Sequence, residues 1–169
     1  MKNDQIAAVF AQLSDLLEIQ EANPFRVRAY RSAGRTISST AESFAALVEE
    51  GADLTRFSGI GKDLAKQIVE VVTTGQHSQL AELKQQVPAG VVDMLRIQGV
   101  GPKKVAVFFN KLNLTSLDEL KAAAQAGELA ALNGFGKKTE QSILANIDRA
   151  AEAGKRISIA DARAAAEAI

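Results

Sequence analysis

One short pattern recurs three times in this chain and limits what it can fold into: apolar, two residues, apolar, one residue, Gly-apolar-Gly, then a helical stretch. The first copy runs from Leu54 through Phe57 and Gly59-Ile60-Gly61 to Ala65. The second runs from Met94 through Ile97 and Gly99-Val100-Gly101 to Val105, and the third from Leu129 through Leu132 and Gly134-Phe135-Gly136 to Glu140. Glycine admits positive φ and so a tight turn, while the apolar residue between the glycines can plug that turn into a core. Each copy therefore reads as two helices joined by a hairpin. The third is weaker, because Glu140 falls where the small core residue should sit, and it reads equally as a structural turn.

The rest of the chain agrees with an all-α fold. No segment alternates with period two for long enough to make a strand, and helical periodicity runs throughout. Ile6, Val9, Phe10, Leu13, Leu16 and Leu17 form one apolar stripe. Asn23-Pro24 reads as an N-cap followed by proline in the first turn, opening a helix through Tyr30, Ala33 and Ile37. Ser39 and Glu42 have capping-box spacing ahead of Phe44, and Ser116 and Glu119 repeat that spacing. Leu64, Ala65, Ile68, Val69 and Val72 mark a helix that Gly75 ends. Pro88 marks a boundary. The expected organisation is two small helical domains, 1–87 and 88–153, followed by a tail, 154–169. The Ala-rich segment from Ala160 to Ile169 should be helical but has no stop signal, as if the chain had been cut from something longer.

Aromatics make up only 5% and Trp is absent, so the core must come from Leu, Ile, Val and Ala. The absence of cysteine excludes disulfides and thiolate metal sites and suits a reducing cytoplasm. No apolar run approaches a membrane span. The formal net charge is zero, which argues against a uniformly basic coat and requires any electrostatic site to be a local cluster.

Such clusters exist. The helix after each hairpin offers free N–H groups and the positive end of its dipole, which favour an anion. Lys62, Lys103-Lys104 and Lys137-Lys138 stand at these helix starts. Gly59, Gly61, Gly99, Gly101, Gly134 and Gly136 let a phosphate approach the main chain without a Cβ in the way. Contacts of this kind address DNA through its backbone and carry little sequence information. A second basic stretch, Phe25 to Arg35, holds Arg26, Arg28, Arg31 and Arg35, one Tyr and no acid. Arg28, Arg31 and Arg35 lie close to one helical face, within reach of a shared phosphate; a solvated face with Tyr30 in the core is the equal alternative.

With these pieces in place the chain resembles the N-terminal part of bacterial family X DNA polymerases, relatives of DNA polymerase beta. The resemblance runs from about Asp4 to the last residue. Its motifs are Asn-Pro-Phe-Arg-Val-Arg-Ala-Tyr-Arg (Asn23 to Arg31), Gly-Ile-Gly-Lys-Asp-Leu-Ala (Gly59 to Ala65), Gly-Val-Gly-Pro-Lys-Lys (Gly99 to Lys104) and Gly-Phe-Gly-Lys-Lys-Thr (Gly134 to Thr139). It implies a lyase-type domain that holds the 5′-phosphate side of gapped DNA, with Arg26, Arg28, Tyr30, Arg31 and Arg35 as candidate ligands. It implies next a helical domain on the primer-side duplex, in the setting of base excision repair. It also implies a monovalent cation, K+ or Na+, at the carbonyls of Thr55, Phe57 and Ile60 and of Leu95, Ile97 and Val100. No other cofactor is expected, and the chain is expected to be a monomer, with a polymerase palm domain as a candidate partner.

Two departures bear on chemistry. No Asp-x-Asp pair is present, and two-metal nucleotidyl transfer needs such carboxylates, so this chain alone is not expected to polymerise DNA. At the position where some relatives carry a Schiff-base lysine stands Gln67, whose amide nitrogen cannot form that adduct. Lys66 beside it points roughly 100° away around the helix, and the spacing predicts an ion pair with Glu70. The leading expectation is non-sequence-specific DNA binding at gaps, nicks or primer-template junctions. The alternatives are a weak deoxyribose-phosphate or abasic-site lyase acting through Lys66 or Lys62, and a helical interaction module for a separate catalytic domain. His77, the one histidine, has no evident acidic or serine partner in the sequence.

Overall fold

A computed structural model describes residues 1–167. The chain divides into two compact units, Met1–Gln86 and Val87–Ile169. Every regular element among the described residues is helical.

The first unit contains α1 (Asn3–Ile19), α2 (Pro24–Ser39), α3 (Phe44–Glu49), α4 (Lys62–Thr74) and α5 (Ser78–Gln86), with a 3-10 turn at Leu54–Arg56. The predicted stripe on α1 is the centre of its core: Ile6, Phe10 and Leu13 are fully buried and meet Ala33 and Ile37 of α2, Ile68 of α4 and Leu80 of α5 in one apolar interior. Helices α1 and α2 approach closely at Gly34, where a Cβ would lie 3.3 Å from the Ala7 carbonyl oxygen. Asn23 caps α2 as expected, its Oδ1 accepting the Phe25 N–H at 2.9 Å. The cap of α3 differs from the predicted Ser39–Glu42 box. Ser39 is the last residue of α2, and Ser43 caps α3 by accepting from the Ala46 N–H. Asn3 reaches across from α1 to accept the Phe44 N–H, so a tertiary contact sets where α3 begins. On α4, Val71 is the buried residue that the expected stripe omitted, and Val69 is 40% exposed.

The second unit contains α6 (Ala89–Asp93), a 3-10 turn at Met94–Arg96, α7 (Pro102–Leu112), α8 (Leu117–Gln125) and α9 (Lys137–Glu167). Met94, Val105, Phe108, Leu120, Leu129 and Ile143 are buried at its centre. Ser116 caps α8 through the Glu119 N–H as predicted, but the Glu119 carboxylate accepts from Thr115 N, one residue before the expected partner. Gly154 does not start a separate tail: α9 passes through it without interruption. A Cβ there would lie 3.0 Å from a guanidinium nitrogen of Arg96, whose side chain reaches α9 from the 3-10 turn. Of the predicted Ala160–Ile169 helix, residues 160–167 are helical and the last two residues lie outside the described part.

Candidate nucleic-acid interface

The three glycine copies adopt one backbone. In the first, Phe57 N–H donates to Leu54 O at 3.2 Å, Ile60 N–H to Phe57 O at 3.2 Å, and Ala65 N–H to Gly61 O at 2.9 Å. The same three bonds recur as Ile97 to Met94, Val100 to Ile97 and Val105 to Gly101. They recur again as Leu132 to Leu129, Phe135 to Leu132 and Glu140 to Gly136. The first glycine of each bend has positive φ, +79° at Gly59, +84° at Gly99 and +83° at Gly134, the region where a Cβ is penalised. The residue between the glycines points inward: Ile60 and Val100 are buried, and Phe135 is half-buried with its ring 5.4 Å from that of Phe108. Glu140 does not spoil the third copy. Its carboxylate turns out of the core and accepts the Ala130 N–H at 2.9 Å, bracing the approach to the bend.

The second glycine behaves differently. Gly61 and Gly101 have φ of −85° and −100° with extended ψ, a conformation open to any residue. A Cβ at Gly61, Gly101 or Gly136 would meet nothing within 4 Å. The fold itself gives no reason for glycine at these positions. All three glycine pairs are exposed, as are Lys62, Lys103 and Lys137, so the helix-start amides face solvent with cationic side chains alongside. Lys104 is half-buried and its Nζ donates to Gly99 O at 2.9 Å, placing that charge against the second bend.

The first bend is held from several sides. Thr36 Oγ1 of α2 donates to Ser58 O at 2.9 Å. Arg56 pairs with Glu42 at 2.7 Å and lies 4.7 Å from the Phe57 ring centroid, while Phe57 packs on Phe44. Asp53 accepts from the Thr55 hydroxyl and amide, which hold its carboxyl below the ordinary value.

The basic stretch on α2 divides between two surfaces. Arg31 donates to Glu18 at 2.6 Å and lies 3.6 Å from Asp15, so its guanidinium ties α2 to α1. Burial pushes the Asp15 carboxyl above its ordinary value, against the pull of Arg31. Arg35 is exposed and lines the same groove between α1 and α2 as Arg31. Tyr30 is 4% exposed, and its hydroxyl donates to Gln79 at 3.1 Å. Arg26 lies on another side, its guanidinium 5.8 Å from the Tyr30 ring centroid, and lines an open cavity of about 550 Å³ between α2 and α4 with Asp63, Lys66 and Gln67.

Gln67 has a structural partner that the sequence did not reveal. Its Oε1 lies 2.8 Å from His77 Nε2, and His77 Nδ1 accepts the Leu80 N–H, which assigns the proton to Nε2 and makes the histidine neutral. His77 is 3% exposed, with its ring edge-on to Phe10 and Tyr30. Burial holds its pKa below the ordinary value, opposed by Glu70. With the Gln67 carbonyl taken by His77, its amide NH2 remains as a neutral donor on the cavity wall. The predicted Lys66–Glu70 ion pair does not form; Glu70 instead accepts the Ser78 N–H at 3.0 Å and caps α5, and Lys66 is exposed on the cavity rim. Among the described residues no group of three His, Cys, Asp or Glu side chains is placed to hold a metal ion, and no helix is long and apolar enough to cross a membrane.

Comparison with known proteins matches residues 1–77 to a family described as a helix-hairpin-helix domain and residues 91–149 to a SAM-like helix-hairpin-helix tandem. The tandem match spans both the second and the third bend. The chain is 31% identical over 159 residues to the DNA polymerase/3′-5′ exonuclease PolX of Bacillus subtilis (strain 168). That alignment covers 94% of this chain and 27% of the Bacillus protein.

Proposed function

We propose that this chain, two helix-hairpin-helix units related over nearly its whole length to the family X polymerase PolX, binds DNA through its phosphates without reading base sequence. The observation that carries this reading is the second glycine of each bend. It is not demanded by backbone conformation or packing, yet it leaves clearance over a helix start flanked by lysine. A phosphate needs that clearance to reach the amides of Lys62 and Asp63, or of Lys103 and Lys104 behind Pro102. Backbone amides and lysines together position a strand and leave the base edges untouched.

The preferred substrate on this reading is interrupted duplex: a gap, nick or primer-template junction. The first unit takes the terminal phosphate at the cavity lined by Arg26 and Lys66, and the second unit grips the duplex. Arg28 and Arg35 contribute charge on the neighbouring face of α2. Arg31 acts by joining α1 to α2, and Tyr30 by supporting Arg26. On this reading a K+ or Na+ ion would be held by the carbonyls of Thr55, Phe57 and Ile60 and of Leu95, Ile97 and Val100. The Phe57 and Ile97 oxygens each accept one hairpin amide and retain a second lone pair. Such an ion would supply positive charge beside a phosphate.

Fluorescence anisotropy with gapped, nicked and intact duplexes of two unrelated sequences tests the proposal. The expected result is a Kd of order 10⁻⁴–10⁻⁶ M or tighter at physiological salt, independent of sequence, weakening steeply as salt rises and strongest on the gap. Salt-insensitive binding, or none to any duplex, refutes it.

A further inference from the structure

The three bends share a backbone but differ in one side chain. The third residue after the second glycine is Leu64 in the first bend, Lys104 in the second and Thr139 in the third. Only Lys104 carries a charge there. It is half-buried and turns back along the bend, where its Nζ donates to Gly99 O at 2.9 Å. Gly99 is the positive-φ residue of that bend, so the ammonium is fixed at the turn itself, while the neighbouring Lys103 is exposed. Its partner in this bond is a neutral carbonyl, which leaves the positive charge uncancelled.

Resting on the phosphate-binding reading above, we infer that Lys104 is a tethered cation that makes an alkali ion dispensable at the second bend. An alkali ion held by backbone carbonyls presents one positive charge to an approaching anion. An ammonium held by a hairpin carbonyl presents the same charge at the same turn. Lysine suits the task because its ammonium is a compact point charge with three N–H donors. Gly99 O takes one of them, and the others remain for phosphate oxygens. Being covalently attached, this cation is present whatever salt surrounds the protein. It is also held in place before DNA arrives, so part of the ordering cost of binding is already met. Leu64 at the first bend and Thr139 at the third have no ammonium to offer. The two units therefore differ in kind: withdrawing alkali ions loosens the grip of the first bend, and the second keeps its hold.

The test measures anisotropy on gapped duplex in potassium chloride and in tetramethylammonium chloride at one ionic strength. It compares the wild-type chain with Lys104→Met and Lys104→Gln, two variants that keep much of the side-chain stem and remove its charge. Tetramethylammonium preserves the screening but is too bulky to settle among carbonyl oxygens. In that salt both variants should bind roughly 10- to 150-fold more weakly than wild type, the loss of one charge-assisted bond. In potassium chloride the deficit should shrink severalfold, because K+ can settle on the bend in place of the ammonium. Circular dichroism of the DNA-free variants should match wild type, so that the deficit reads binding alone. A deficit of equal size in the two salts overturns the inference and leaves Lys104 as an ordinary phosphate contact. No deficit in either salt also overturns it, and leaves Lys104 as a brace of the bend. Absence of wild-type binding to every duplex instead removes the DNA-binding reading and this inference with it.

Discussion

Replacing Gly101 by serine should make the second unit more stable and a worse DNA binder. Gly101 is the N-cap of α7, has no side-chain cap bond, and adopts φ −100° and ψ 178°. A Cβ there meets no atom within 4 Å, so the substitution carries neither a steric nor a conformational cost. A serine hydroxyl at an N-cap improves on glycine by a few tenths of a kcal/mol through the N2 or N3 amide. Loss of glycine's freedom in the unfolded chain adds about 0.4–1 kcal/mol. The sum is a gain of roughly 0.5–1.5 kcal/mol, or several degrees in Tm for a unit of this size. The same hydroxyl takes an amide that a phosphate would use, and its Cβ fills the clearance. Losing one charge-assisted bond of about 1.5–3 kcal/mol weakens binding roughly 10- to 150-fold. Urea unfolding followed by circular dichroism, with anisotropy on gapped duplex in the same buffer, reads both quantities. A folded Gly101→Ser chain that binds like wild type would refute the claim that this glycine exists for a ligand. The contrasting change is Gly99→Ala, at φ +84°, which should cost about 1–2 kcal/mol of stability despite equally open surroundings.

Other consequences follow from the packing of the second unit and the protonation of the first. A Cβ at Gly90 would overlap the Thr115 carbonyl oxygen, so Gly90→Ala should destabilise the second unit by about 1–3 kcal/mol or more, with a corresponding fall in urea midpoint. His77 resists protonation when folded, whereas the unfolded chain takes a proton near the ordinary value of about 6.5. Its contribution to stability is complete above that value and is lost as pH falls below it, so the midpoint should drop between pH 7 and 5, and His77→Gln should flatten that drop. Borohydride treatment with incised abasic DNA should trap no adduct, because Gln67 lacks an amine and its oxygen is engaged by His77. An adduct lost in Lys66→Ala would instead establish that lysine as a nucleophile. At constant ionic strength, exchanging K+ for tetramethylammonium should weaken DNA binding if an alkali ion sits at the hairpin carbonyls, and unchanged affinity would dismiss that site.

The bends were legible in the sequence because their cause is local. Glycine spacing, the apolar plug and the helix start all lie within a dozen residues, and the three backbones match accordingly. The helices were legible for the same reason, as periodic stripes. What stayed hidden depends on residues brought together by packing. Ser39 and Ser43 both suit a cap, and the choice falls to Asn3, about forty residues away on α1. Arg31 looked available for phosphate until α1 placed Glu18 and Asp15 against it. His77 finds its partner in Gln67 on the far side of a turn, an amide that no catalytic pattern would have suggested. Gly154 reads as a break in one dimension, yet the helix continues through it, and the Arg96 side chain from another segment lies over it.

The continuity of α9 has a mechanical consequence. It begins at the third bend, with Lys137 as its first residue, and continues for 31 residues. At 1.5 Å per residue that is a rod of roughly 46 Å, so a tilt of about 5° at its base would sweep the far end through roughly 4 Å. Ile143, Ile147 and Ala150 clamp the near half into the second unit, while Ile157 and Ile159 farther along are exposed. With its near half held in this way, the helix can tilt only together with the core of the second unit, and its far end reports the orientation of the Gly134–Gly136 turn and that core together.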